Sequence, residues 1–98
     1  MVKIKYSRYD AADYLHSEED MATYLEVALA EGDPALVSQA LGAIARARGI
    51  ARIAKDAGLS REALRKALSP EGKPEFATIL KVIHALGIRL HAEAQHSA

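Results

Sequence analysis

From residue 18 to residue 86 the apolar positions recur at spacings of three and four, the period of helices that bury one face. Met21, Tyr24, Leu25, Ala28 and Leu29 form the first such stripe. Ser17 precedes it as an N-cap acceptor, and Glu18, Glu19 and Asp20 stand at the positive end of the dipole, so a helix is predicted over about 18–31. Glu31-Gly32 ends it. Asp33-Pro34 then restarts the chain, with Asp33 as N-cap and Pro34 in the first helical position, where its missing amide proton costs nothing. Val37, Ala40, Leu41, Ile44 and Ala45 continue that helix to about Ala47, and Arg48-Gly49 closes it. Ile50, Ile53, Ala54 and Ala57 make the next buried stripe, and Ser60 caps a further helix through Leu68. After a turn-rich loop at 69–74, Phe76, Ile79, Leu80, Ile83 and Leu86 mark a last helix over about 75–86, stopped by Gly87.

The two ends read differently. Asp10 can cap a short helix through Leu15. Val2 and Ile4 alternate with Lys3 and Lys5, while Ile88, Leu90, Ala92 and Ala94 alternate with polar residues, so the tail is predicted as a short strand. A lone strand cannot satisfy its own backbone and would pair with residues 2–5 or with the same strand of a second copy.

The stretch IARIAKDAGLSREALRKAL, residues 50–68, is the most informative. Two short helices joined by a three-residue turn cross steeply only if the turn takes an unusual conformation and small residues line the crossing. Gly58 can adopt positive φ, Ala54 and Ala57 permit close approach, Leu59 fills the corner, and Leu64 and Ala67 face Ile50 and Ile53. This is the pattern of a helix-turn-helix. Its second helix carries Arg61, Arg65 and Lys66, and the four-residue spacing of the two arginines puts like charges on one face, at a cost of a few tenths of a kcal/mol. Phosphates or guanine edges opposite would remove that cost. Arg61 and Arg65 are the candidates for base readout, because the guanidinium fork matches guanine O6 and N7. Ser60 and Arg61 sit at the end of such a helix that enters the major groove. Lys55, Arg52, Lys73 and Ser69 are candidates for phosphate contact. Glu62 and Lys66 stand in the favourable order for an intrahelical pair.

Composition narrows the alternatives. At 98 residues, with half of them hydrophobic, few aromatics and many Ala and Leu, the chain suits one small all-α domain with a single core. With no cysteine, disulfides, thiolate zinc sites and a cysteine nucleophile are excluded. No apolar run nears the roughly 20 residues that span a bilayer, and MVKIKYSRYD lacks a signal-peptide core, so no membrane association and a cytoplasmic location are expected. His16, His84, His91 and His96 show no metal-ligand spacing, and neither a nucleophile motif nor a phosphate-cradling glycine loop occurs. No cofactor, no metal and no catalysis are expected.

The neutral total conceals a division. Residues 1–34 set three Lys or Arg against eight Asp or Glu, a net of −5, and residues 35–98 set ten against five, a net of +5. An acidic and a basic half suggest two surfaces for two kinds of partner. The organisation expected is an acidic N-terminal helical extension (1–33), a helix-turn-helix domain (34–91) and a tail (92–98).

VALAEGDPALVSQALGAIARARGI from Val27, GLSREALRKALSPEGKPEFATILKVIHALGIRL from Gly58 and the leading YDAADYL from Tyr9 together resemble the addiction-module antidote proteins. The similarity covers roughly residues 6–91. The resemblance implies a lambda-repressor-like helix-turn-helix bundle, a homodimer on an inverted repeat in its own promoter, and neutralisation of a small toxin of the RelE-like ribonuclease type. It also implies that Ser60, Arg61, Glu62, Arg65 and Lys66 face DNA. In the family pattern Tyr often stands at the place of Arg65 and Asn at that of Lys73, so a different target sequence or salt dependence is expected here. Glu18, Glu19, Asp20 and Glu26, on the acidic side, are the candidate toxin contacts, since a basic RNA-cleaving partner would be drawn to them. The competing readings are a stand-alone phage-type repressor without a toxin, and a helical interaction module that packs only against protein.

Overall fold

The structure, a computed structural model, describes residues 10–95. Asp10 opens it, its carboxylate accepting from the Ala12 amide at 3.1 Å to start a single 3₁₀ turn, Ala11–Tyr14. Helix α1 (Glu18–Glu31) follows, with Ser17 Oγ accepting from the Asp20 amide at 3.0 Å. The Asp20 carboxylate accepts in return from the His16 amide at 3.1 Å, a reciprocal arrangement close to a capping box. Helix α2 (Pro34–Arg48) starts as expected, Asp33 accepting from the Ala35 amide at 3.0 Å. Helices α3 (Ile50–Ala57), α4 (Arg61–Ala67) and α5 (Phe76–Ala85) complete an all-α architecture. No helix is long and apolar enough to cross a membrane among the described residues.

Helix α2 is the centre. Its sequence stripe is surrounded by Ser38, Gly42 and Ala43, all buried, so between residues 38 and 45 only Gln39 reaches solvent. Small residues all round let α1 pack against one side of it and α3 against another. The 3₁₀ turn rests on α2 as well, and α3 in turn carries α4 and α5. Leu15, Met21 and Leu25 from the N-terminal portion share one cluster with Leu41, Ile44, Ile53, Leu64 and Ile83. The acidic helix is thus built into the same core as the basic one.

Two expectations need correcting. On α5 the buried stripe is Val82, Ile83 and Leu86 with Ile79 half-buried, whereas Phe76 is 68 % exposed and Leu80 37 % exposed. The first turn of α5 extends beyond the core, so an apolar residue at the right helical spacing finds nothing to pack against. On α1, Tyr24 and Leu29 of the expected stripe lie at the edge of the interface, 37 % and 43 % exposed.

The predicted tail strand does not form: residues 88–95 carry no regular structure and no strand occurs among the described residues. Helix α5 ends with the Gly87 amide donating to the His84 carbonyl (3.0 Å) and the Ile88 amide to the Ile83 carbonyl (3.2 Å), which closes the helix C-terminus and seats Ile88 against the core. Ile88 is therefore apolar as a helix-end contact, and the alternation after it does not track burial, since Leu90, Ala92 and Ala94 are all exposed. The other half of the expected pairing, residues 2–5, lies outside the described residues.

Candidate nucleic-acid interface

Helices α3 and α4 are joined by Gly58, Leu59 and Ser60, each with a distinct task. Gly58 sits at φ 75°, and the Gly58 and Leu59 amides close α3 by donating to the Lys55 carbonyl (3.1 Å) and the Ala54 carbonyl (2.8 Å). A side chain at that φ would strain the turn. Leu59 packs on the core as the hydrophobic contact that accompanies such a helix end. Ser60 Oγ accepts from the Ala63 amide at 3.0 Å and starts α4. With Ala54, Ala57 and Leu64 buried at the crossing, the seven-residue α4 is anchored through one large side chain and its outer face is left to solvent.

That outer face holds Arg61, Glu62, Arg65 and Lys66, all exposed. None of the three ion pairs among the described residues involves them, and the expected Glu62–Lys66 pair is not made. Apart from Glu62 in its own first turn, the positive charge of α4 has no ion partner among the described residues. Ser69 follows at the end of α4, half-buried, with its hydroxyl donating to the Lys66 carbonyl at 2.9 Å. On α3, Lys55 is exposed, while Arg52 stands 3.9 Å from Asp56, an exposed pair one turn apart and worth little. Lys73 lines a different cavity, of about 540 Å³, with Pro34, Val37, Pro74 and Phe76; Pro70 borders both that cavity and the α2–α4 cleft that Arg65 lines.

One cation absent from the sequence candidates adjoins this face. Arg46, in the last turn of α2, lines a cleft of about 340 Å³ with Arg65, Ser69, Leu64 and Leu68. The Asp10 carboxylate holds it by two bonds, from Nε at 3.0 Å and from Nη2 at 2.8 Å. The Arg46 guanidinium keeps the Asp10 carboxyl below its ordinary pKa, with help from the Ala12 amide, and Asp10 raises that of Arg46. In the sequence a basic residue in a last helical turn reads as a partner for the dipole, which is why Arg46 carried no separate signal.

The acidic candidates divide. Glu18 pairs with Arg48 (Oε2 to Nη1, 3.4 Å) and Asp20 caps α1, so both have work inside the molecule. Glu19 and Glu26 are exposed, two turns apart on α1, and enter no ion pair among the described residues.

Comparison with known proteins adds the family. Residues 5–94 match a family described as "Probable addiction module antidote protein". An uncharacterized protein of Haemophilus influenzae is 47% identical over 90 residues, which span 92% of this chain and 93% of that protein. No solved structure matches. The match covers all five α-helices of the described residues, so the chain belongs to the addiction-module antidote proteins and has the role of the antitoxin in a toxin–antitoxin module, with a cognate toxin as its partner.

Proposed function

We propose that this antitoxin is also a DNA-binding autorepressor: a cytoplasmic, non-enzymatic homodimer of lambda-repressor-like helix-turn-helix domains. It inserts α4 into the major groove of its own promoter and neutralises a RelE-like ribonuclease through its acidic side. One observation carries the DNA reading. Helix α4 places Arg61 at its own positive end and Arg65 four residues on, both without an ion partner among the described residues, an arrangement that costs stability and is relieved by phosphates or guanines. Arg61 and Arg65 then read bases, Ser60, Glu62 and Lys66 face the groove beside them, and Lys55, Arg52, Ser69 and Lys73 approach phosphates. Glu19 and Glu26 are the acids left to attract a basic toxin, with Glu18 and Asp20 beside them. Dimerisation is supported by exposed Phe76 standing beside the apolar cavity at the start of α5.

The test is binding to the DNA upstream of the reading frame at two salt concentrations. A dimer making about 6–10 phosphate contacts loses roughly 10³–10⁵ in affinity between 50 and 200 mM salt. The half-sites are expected about 34–36 Å apart, or at a multiple of that distance. Absence of binding, or a flat salt response, would leave an interaction module that packs only against protein.

A further inference from the structure

The cleft between α2 and α4 is lined by two guanidinium-bearing residues, Arg46 and Arg65, and by no acid among the described residues, Asp10 standing behind Arg46, with Ile50, Leu64, Leu68 and Pro70 as apolar walls. Nε and Nη2 of Arg46 donate to Asp10, while Nη1 donates to no acceptor among the described residues. Gly42 lies on the floor of the cleft beside that group: a Cβ there would be in ordinary contact with Nη1 and with the Leu68 carbonyl oxygen, each at 3.6 Å. Arg46 is thus held in place before any ligand arrives, and the side-chain ordering that binding would otherwise require is already done.

The geometry points to a phosphate site in this cleft: a DNA backbone phosphate flanking the bases under α4, bound by Nη1 of Arg46 together with Arg65, with Asp10 as the residue that positions Arg46. The assignment rests on the DNA-binding reading of α4 and extends it to a part of α2 that the sequence did not mark. Free phosphate has the same chemistry, and the experiment separates the two sources.

The affinity of the full chain for its upstream DNA and for a random duplex is measured against salt for wild type, Arg46→Gln and Asp10→Asn, with Arg61→Ala as the comparator. Folding of each variant is checked by circular dichroism. Arg46→Gln is expected to weaken both DNAs about tenfold and to lower the salt slope by about one, the signature of a lost phosphate contact. Asp10→Asn is the sharper arm. As a plain charge change, removing an acid beside a DNA-binding face tightens binding; as loss of the group that positions Arg46, it weakens binding by about two- to tenfold with the slope unchanged. Tighter binding by Asp10→Asn, or an unaltered slope in Arg46→Gln while wild type binds DNA, overturns the phosphate site and leaves the reading of α4 intact. No binding by wild type overturns both. Inorganic phosphate titrated into the DNA-free protein at constant ionic strength is expected to leave the melting temperature unchanged; Arg46-dependent stabilisation there, with no change in the DNA slope of Arg46→Gln, reassigns the cleft to a free anion.

Discussion

Helices α1 and α4 begin with the same device and continue in opposite ways. Each starts at a serine whose Oγ accepts, at 3.0 Å, from the amide three residues on. After Ser17 come Glu18, Glu19 and Asp20, negative charge at the positive end of the helix, and two of those acids bond within the molecule. After Ser60 comes Arg61, positive charge at the positive end, followed by Arg65 on the same face, with no ion partner for either among the described residues. The first helix follows the rules that stabilise an isolated helix. The second breaks two of them while sharing the same core, with Glu62 as the acid of its first turn, and a local departure of that kind, with no ion partner for either arginine among the described residues, marks a surface shaped for something outside it.

The largest effect should come from the shared core, where the two helices do not differ. Leu25→Ala in α1 and Leu64→Ala in α4 remove side chains that are 1 % and 0 % exposed, and each is expected to destabilise by about 2–5 kcal/mol in urea titration. A Leu25→Ala variant as stable as wild type would make the N-terminal helix an appendage. In the loop after α4, a Cβ on Gly72 would press on the Lys66 and Ala67 carbonyl oxygens, the latter at 2.7 Å, so Gly72→Ala should destabilise by about 1–3 kcal/mol and shift the end of α4. Next come the caps, where Ser17→Ala and Ser60→Ala should each cost about 1 kcal/mol.

Charge is where the helices should part. Arg61→Glu puts an acid at the positive end of α4 and replaces a like pair with a Glu–Arg pair four residues apart. Thermal unfolding is expected to show a gain of about 0.3–1 kcal/mol, although DNA binding is lost. Glu19→Lys should do the reverse on α1, with a small loss of stability and DNA binding unimpaired. Were Arg61→Glu destabilising, α4 would owe its arginine to folding rather than to a partner.

The smallest effect concerns pH. Asp10 has a lowered pKa in the folded chain because Arg46 bonds its carboxylate, so its stabilising contribution is full above the unfolded value, near 3.8, and is lost as pH falls through the lower folded value. Wild type and Asp10→Asn should therefore differ slightly in stability near neutrality and converge in strong acid.

Most of the fold was legible because its signals are local. Ser17, Asp33, Ser60 and Gly58 act within three or four residues of themselves, and every helix end lies within one or two residues of its expected place. What the sequence hid depends on distance along the chain. Asp10 and Arg46 meet across 36 positions, and nothing near either residue announces the other. The tail misled for a related reason: Ile88 is apolar to close α5, and an alternation of two begun by a helix-end contact imitates a strand. Within the candidate interface, the exposed cations of α4 followed from helical spacing, whereas the place of Lys73, beside the apolar cavity at α5, depended on the path of the 69–75 loop.

The claim that α1 and α4 face different partners is tested most directly by one variant in a host that also expresses the small reading frame beside this gene. Arg61→Glu combined with Arg65→Glu leaves α1 untouched and reverses the face of α4. The expected result is growth rescued from the toxin as fully as by wild type, together with a derepressed promoter. Loss of rescue by this variant, with the protein folded and present at wild-type levels, would contradict the division and make α4 part of the toxin-binding surface.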